Sequence, residues 1–305
     1  MMTEPNWALT RKNLFLQQRA AILQDVRAYF VEQDYLEVET PHRIPANAPE
    51  QHIDPVASGD WALHTSPEIA MKRLLAAGYE KIFQICRVWR KEELGRHHLP
   101  EFTLLEWYRS GIDYHALMAE CEALILKLVP EGRLARPGRE ISLAPPWERL
   151  TIAEAFSSYA SMGPGQAIES GCFEEILTTE VEPNLGKKRP TFLIEYPAAM
   201  AALARVKPGD PGVAERFELY IDGLELANAF SELTDPIEQR ERFAADEEGR
   251  RATGKTPYPL PERFLRELEA IPEAAGIALG LDRLVMLMTG AEKIDDVVAF
   301  TPGEL

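Results

Sequence analysis

Cysteine is scarce in this sequence. Cys86, Cys121 and Cys172 are far apart and form no C-x-x-C pair, so neither a disulfide framework nor a cysteine zinc site is expected, and a reducing cytoplasm fits. The six histidines include no H-E-x-x-H. No apolar run reaches the roughly 18 residues of a membrane-spanning helix. Met1 to Arg11 is polar and lacks the apolar centre of a secretory signal. No G-x-G-x-x-G follows a strand-like segment, which excludes a simple dinucleotide-binding, doubly wound fold. Positive charge is short as well: 33 Lys and Arg against 49 Asp and Glu give a formal net charge of −16. That balance argues against a nucleic-acid backbone or an anionic membrane as the main partner.

What is present is material for one large core, with two domains as an upper bound: 46% of the 305 residues are hydrophobic. Periodicity predicts helices over 13–34, 67–77, 114–129, 236–254, 262–270 and 282–289, and a weakly patterned helical region over 151–185. Strands are predicted over 35–40, 81–90, 102–108, 191–196, 216–221, 224–230 and 276–279. The proline-bearing stretch 130–150 reads as a linker or excursion. Strands joined by hairpins, with helices before and after, predict an α+β fold around a largely antiparallel sheet.

Three segments could carry chemistry. In Arg87–Tyr108, a strand, a loop and a strand, the two-residue period sets Arg90 and Glu92 on one face of the first strand and Glu106 and Tyr108 on one face of the second. Arg90 could grip a phosphate by its fork, or the segment could be a salt-bridged amphipathic hairpin. In Arg216–Asp235, Asp222-Gly223 is a type I′ hairpin signal. It would pair Ile221 with Leu224, Tyr220 with Glu225 and Glu218 with Ala227. Glu218 and Glu225 then share a face and could share a cation, or simply face solvent. Parity puts Glu232 on the opposite face unless a bulge or turn intervenes near Asn228. In Gly276–Leu287 a strand enters a helix through Gly280, with Arg283 in the first turn. There an arginine opposes the helix dipole, which makes sense if it serves an anion.

In order, Tyr35-Leu-Glu-Val-Glu-Thr-Pro41, the Arg87–Tyr108 hairpin and Gly276–Leu287 resemble the three signature motifs of class II aminoacyl-tRNA synthetases. The likeness runs from about Leu14 to the C-terminus and is best to the lysyl-tRNA synthetase subgroup. Within it, the sequence resembles the truncated paralogues that attach lysine-type amino acids to elongation factor P. Only 34 residues precede Tyr35, which leaves no room there for an anticodon-binding barrel. The expectation is therefore one catalytic domain over 1–305, with a variable excursion at about 130–190. Ser66 and Ala278 stand where lysyl-tRNA synthetases commonly carry alanine and glycine. One hydroxyl and one methyl can reshape a pocket enough to prefer a β-amino acid.

The resemblance implies ATP and Mg²⁺ as cofactors, lysine or (R)-β-lysine as substrate, elongation factor P as acceptor, and a homodimer built on the first motif. It implies that Arg90 clamps the α-phosphate and the substrate carboxylate, and that Arg283 holds the γ-phosphate. Glu92 would contact the adenine side, Glu218 and Glu225 would hold Mg²⁺, and Leu226 and Gly280 would line the nucleotide site. Ser66, Pro67, Glu68, Glu106 and Ala278 would surround the substrate, with Tyr108 and Glu232 at its distal ammonium. Lys91 and Leu99 stand where the family usually has ATP-associated asparagines, and Ala229 replaces a usual glycine. Leucine cannot hydrogen-bond through its side chain. A tRNA-charging enzyme and a non-catalytic amino-acid-binding paralogue are the alternative readings.

Overall fold

A computed structural model describes residues 7–136 and 138–305. Residues 1–6, where the N-terminal reading begins, and Pro137 in the proline-bearing stretch lie outside the described residues.

Eight strands form one sheet: β1 (Leu36–Glu37), β2 (Lys81–Trp89), β3 (Glu101–Ser110), β4 (Glu148–Thr151), β5 (Thr191–Pro197), β6 (Val213–Ile221), β7 (Leu224–Ser231) and β8 (Ala274–Gly280). Their spatial order is β1-β2-β3-β8-β7-β6-β5-β4. The two outer pairs, β1 with β2 and β4 with β5, are parallel, and every pairing between them is antiparallel. The main helices are α1 (Trp7–Glu32), α2 (Glu68–Ala76), α3 (Tyr114–Leu128), α4 (Ile152–Tyr159), α5 (Pro236–Ala252) and α6 (Leu281–Thr289).

The sheet has two faces because its strands alternate. Leu105 and Trp107 of β3, Ile277 and Leu279 of β8, Ala227 and Ala229 of β7, and Leu219 and Ile221 of β6 point to one side. There α1, α3 and α6 close a core with Val26, Phe30, Leu117 and Val285. Phe30 stacks on Phe83 at 4.8 Å, and Trp107 is fully buried. Truncating such a side chain to alanine costs about 3–5 kcal/mol. On the other side Ile82, Tyr108 and Phe230 meet Met71 and Leu75 of α2 and Phe243 of α5. These elements cover that face only in part, and the uncovered portion is the site described below.

Local signals explain most boundaries. Asp113 caps α3 by accepting from the His115 and Ala116 amides. Asp235 caps α5 in the same way, and Thr151 with Glu154 closes a capping box on α4. Asp222 and Gly223 both have positive φ, 62° and 74°, as a type I′ turn requires.

Several expectations need correction. The first strand is two residues long, where 35–40 was expected, and the first helix starts at Trp7. The stretch 130–150 holds a two-stranded hairpin (Arg133–Arg136 with Arg139–Ser142) and edge strand β4, so it is folded structure in place of a linker. The register of β6 on β7 also shifts. Ile221 pairs with Leu224 and Tyr220 with Glu225 as expected, but Leu219 pairs with Ala227 and Glu218 with Asn228. Leu226 is the extra residue, a bulge that reverses the parity of everything after it.

Candidate active site

The bulge builds the site. It sets Asn228 and Phe230 on the same sheet face as Glu218 and Glu225, and the chain then delivers Glu232 to that side too. Across β8 and β3, Asn228 pairs with Ala278 and Ala278 with Glu106, while Phe230 pairs with Gly276 and Gly276 with Tyr108. These rows floor a cavity of about 320 Å³.

One end of the cavity is acidic. Ser66 Oγ donates to Glu106 Oε1 at 2.6 Å, and Tyr108 Oη donates to Glu106 Oε2 at 2.7 Å. Burial, with the Glu68 charge adding to it, pushes the Glu106 carboxyl up to about 8. Glu68 begins α2, with its amide donating to Ser66 Oγ at 3.0 Å. Pro67 is buried at the start of that helix. The Lys72 ammonium, one turn on, is fully buried and contacts both Glu68 and Glu232. It lies 5.0 Å from the Phe230 ring centroid. Burial opposes its charge, but Glu232 and Glu68 outweigh burial and raise its pKa. Burial pushes Glu232 up as well, and Lys72 opposes that push.

The other end is basic. Arg90 follows β2, lies over Phe102 at 5.1 Å, donates to Thr65 O at 3.4 Å, and pairs with Glu93 at 3.7 Å. Arg283, in the first turn of α6, donates to Glu225 O at 2.7 Å and Glu225 Oε2 at 3.3 Å, and to His97 O at 3.3 Å. It also donates to His98 Nε2. Burial and the Arg283 charge lower the His98 pKa and keep the imidazole neutral. Arg90, Leu99, Glu225, Leu226, Gly280 and Arg283 all line this one cavity with Ser66, Glu68, Glu106, Tyr108 and Ala278.

Five expected residues do not line the cavity: Lys91, Glu92 and Glu218, and the buried Pro67 and Glu232. β2 ends at Trp89 and Glu92 sits in the following turn with φ 65°, so the strand parity that set it beside Arg90 does not reach it. Its side chain is 81% exposed and pairs with Lys91, itself 60% exposed, at 3.1 Å; neither lines the cavity. Glu218 accepts from Arg216 at 2.6 Å on one oxygen and from Tyr220 Oη at 2.6 Å on the other.

For Mg²⁺ the relevant observation is carboxylate crowding. Tyr220 Oη also reaches Glu182 Oε1 at 3.2 Å, and burial with the Glu225 and Glu218 charges pushes Glu182 up to about 7. A carboxyl crowded by two neighbouring carboxylates in this way fits a divalent cation completed by phosphate oxygens. No group of three or more His, Cys, Asp or Glu among the described residues is already arranged as a metal cage.

A profile of the tRNA synthetases class II (D, K and N) matches residues 8–303. The chain belongs to the class II tRNA synthetase family. As a member of it, the protein is an ATP-dependent ligase. It is 40% identical to an "Elongation factor P--(R)-beta-lysine ligase" of Vibrio cholerae, over 98% of each chain. It is also 40% identical to proteins of that name from Salmonella dublin and Salmonella gallinarum, over 94% of each chain. Among the described residues, no helix of this synthetase-family protein is long and apolar enough to cross a membrane.

Sequence reasoning missed Lys72, Glu50, Asn228, Arg216 and Glu182. Glu50 lines the cavity and is pushed up to about 7 by burial, with the Arg90 charge opposing. Lys72 had a readable signal: it is four residues after Glu68, so a helix sets them on one face.

Proposed function

We propose that the protein activates a lysine-type amino acid, with (R)-β-lysine as the leading substrate, and transfers it to a lysine side chain of elongation factor P. The observation that carries this reading is one cavity with two carboxylates, Glu68 and Glu106, lining one end, a third, Glu232, buried beside them against Lys72 and Gly276, and two guanidinium groups, Arg90 and Arg283, towards the other. A diamino acid presents two ammonium groups to the acidic end and its carboxylate to Arg90.

In the first step a carboxylate oxygen attacks the α-phosphorus of ATP, the bond to the bridging oxygen breaks, and pyrophosphate leaves. Arg90 orients carboxylate and α-phosphate, and Arg283 receives the γ-phosphate. Both are held before ATP arrives by backbone and side-chain partners, so little reorganisation is needed. In the second step the acceptor amine attacks the acyl carbon, AMP leaves, and the amine loses a proton. No protein nucleophile takes part. Glu225, which lines the cavity, with Glu218 and Glu182 adding negative charge nearby, would hold Mg²⁺, which supplies charge neutralisation on the phosphates.

A cytoplasmic homodimer completes the proposal. Edge strand β1 exposes Leu36, and α1 exposes Leu14 and Val31, apolar surface that a second copy would cover. Sedimentation equilibrium should give twice the 34.3 kDa of one chain.

The test is pyrophosphate exchange with ATP, Mg²⁺ and a panel including (R)-β-lysine and lysine. Single-turnover transfer of the labelled amino acid, to elongation factor P or to total tRNA, follows. Exchange without protein transfer but with tRNA charging would overturn the acceptor assignment; no exchange at all would overturn the activity.

A further inference from the structure

One cation in the acidic cup is supplied by the protein. Lys72 Nζ contacts Glu68 Oε1 and Glu232 Oε2 and is fully buried. Glu232 Oε1 is buried too and accepts no hydrogen bond among the described residues. It packs against Gly276, whose missing side chain leaves the space that this oxygen and the Tyr108 ring share at the edge of the cavity. A buried carboxylate with one oxygen held and the other unpartnered is costly by itself and favourable once a donor arrives.

We propose that Lys72 is a positioning residue for amino-acid specificity: its ammonium holds one oxygen of Glu68 and one of Glu232, aims their other oxygens at substrate ammonium groups, and sets the charge of the cup. This rests on the diamino-acid reading above. Once Glu106 and Glu232, both held up at about 8, are ionised, three carboxylates and one ammonium leave two negative charges, matching the two ammonium groups of a lysine-type substrate. A mono-amino acid leaves one buried charge uncompensated. The groups facing Lys72 or its partners are Glu68 on its own helix, Glu232 at the end of β7, and Glu106 and Tyr108 on β3, with Arg90 farther along the cavity.

The test compares wild type with Lys72→Met, which keeps length and loses charge, and with Lys72→Gln, which keeps one donor and serves if the methionine variant does not fold. Amino-acid binding and proton release are measured by calorimetry in buffers of different ionisation heat, just above the Glu106 value of about 8. Losing the ammonium lets the free cup take up a proton that an incoming substrate ammonium must expel. We expect KM for the amino acid to rise at least about tenfold, KM for ATP to hold within about twofold, and proton release on binding to increase by up to one per site. An unchanged proton count and KM, with only a lower melting temperature, would make Lys72 a structural residue and overturn the inference. Failure of wild type to bind any diamino acid would overturn the function reading instead.

Discussion

Tyr108 lies directly across from Gly276. The two pair across β3 and β8, and a Cβ on Gly276 would overlap the Tyr108 ring and Glu232 Oε1. The glycine is there for space, since its φ is not positive. Gly276→Ala should therefore displace both groups from the floor of the cup. Overpacking of this kind costs about 1–3 kcal/mol of stability. We expect amino-acid KM to rise on the order of 100-fold with ATP KM little changed, because the collision is confined to the acidic end. Thermal unfolding and exchange kinetics on the same preparation check both halves.

Glu106 gives opposite pH dependences for stability and binding. Its carboxyl is at about 8 in the folded protein against 4.5 for the ordinary group. The folded state therefore keeps a proton that the unfolded chain gives up between those values. The stability this contributes is full below pH 4.5 and is lost as pH rises through about 8. Diamino-acid binding requires the carboxylate, so affinity should increase with pH over the same window, up to about tenfold per unit where one proton is released. Calorimetric Kd values across that range test this, and Glu106→Gln should flatten the profile while weakening binding. A Kd that falls with acidification would contradict it.

The places where sequence reasoning succeeded and failed have physical causes. The Asp222-Gly223 turn was legible because two successive positive φ values demand such residues. The alternation of β3 was legible because successive side chains of any strand point to opposite faces, although both faces of β3 are buried. The bulge was not. Leu226 carries no glycine or proline signal, yet it decides that Asn228, Phe230 and Glu232 join Glu225 and Glu218. Glu92 failed for a related reason: β2 ends at Trp89 and a turn with a left-handed residue follows, so parity counted past the strand end turns a solvent-facing side chain into a ligand. Lys72 reads as an ordinary helix charge until its helix is seen packed over Glu232, just past the end of β7. Local chemistry is written along the chain, whereas convergence depends on register, and one inserted residue changes register.

Leu99 tests the departure from the family pattern. It is 3% exposed, belongs to the core beside α6, and lines the cavity. Leu99→Asn restores an amide at the expected position but buries it among apolar neighbours, at a cost of about 1–3 kcal/mol. If the position touches nucleotide, ATP KM should fall a few-fold despite the lower melting temperature. If ATP KM does not move, the nucleotide in this protein does not depend on a side-chain donor at position 99. Calorimetric titration with a non-hydrolysable ATP analogue separates binding from turnover.

Glu225 links the basic end to the metal. Its backbone oxygen and one carboxylate oxygen both accept from Arg283 Nη1. Glu225→Gln keeps the backbone contact and removes the charge, so Arg283 should stay near its place while the local attraction for a divalent cation drops. The side chain is 36% exposed, which limits the effect on folding to a few tenths of a kcal/mol. The Mg²⁺ concentration for half-maximal exchange should rise several-fold, and amino-acid KM should hold, since the acidic cup is at the other end of the cavity. The same substitution should lower the Glu182 carboxyl from about 7 towards its ordinary value, because the Glu225 charge is the largest contribution after burial. Carbon-13 titration of Glu182 reads that shift without any turnover. An unchanged Mg²⁺ requirement together with an unshifted Glu182 would place the cation away from this carboxylate group.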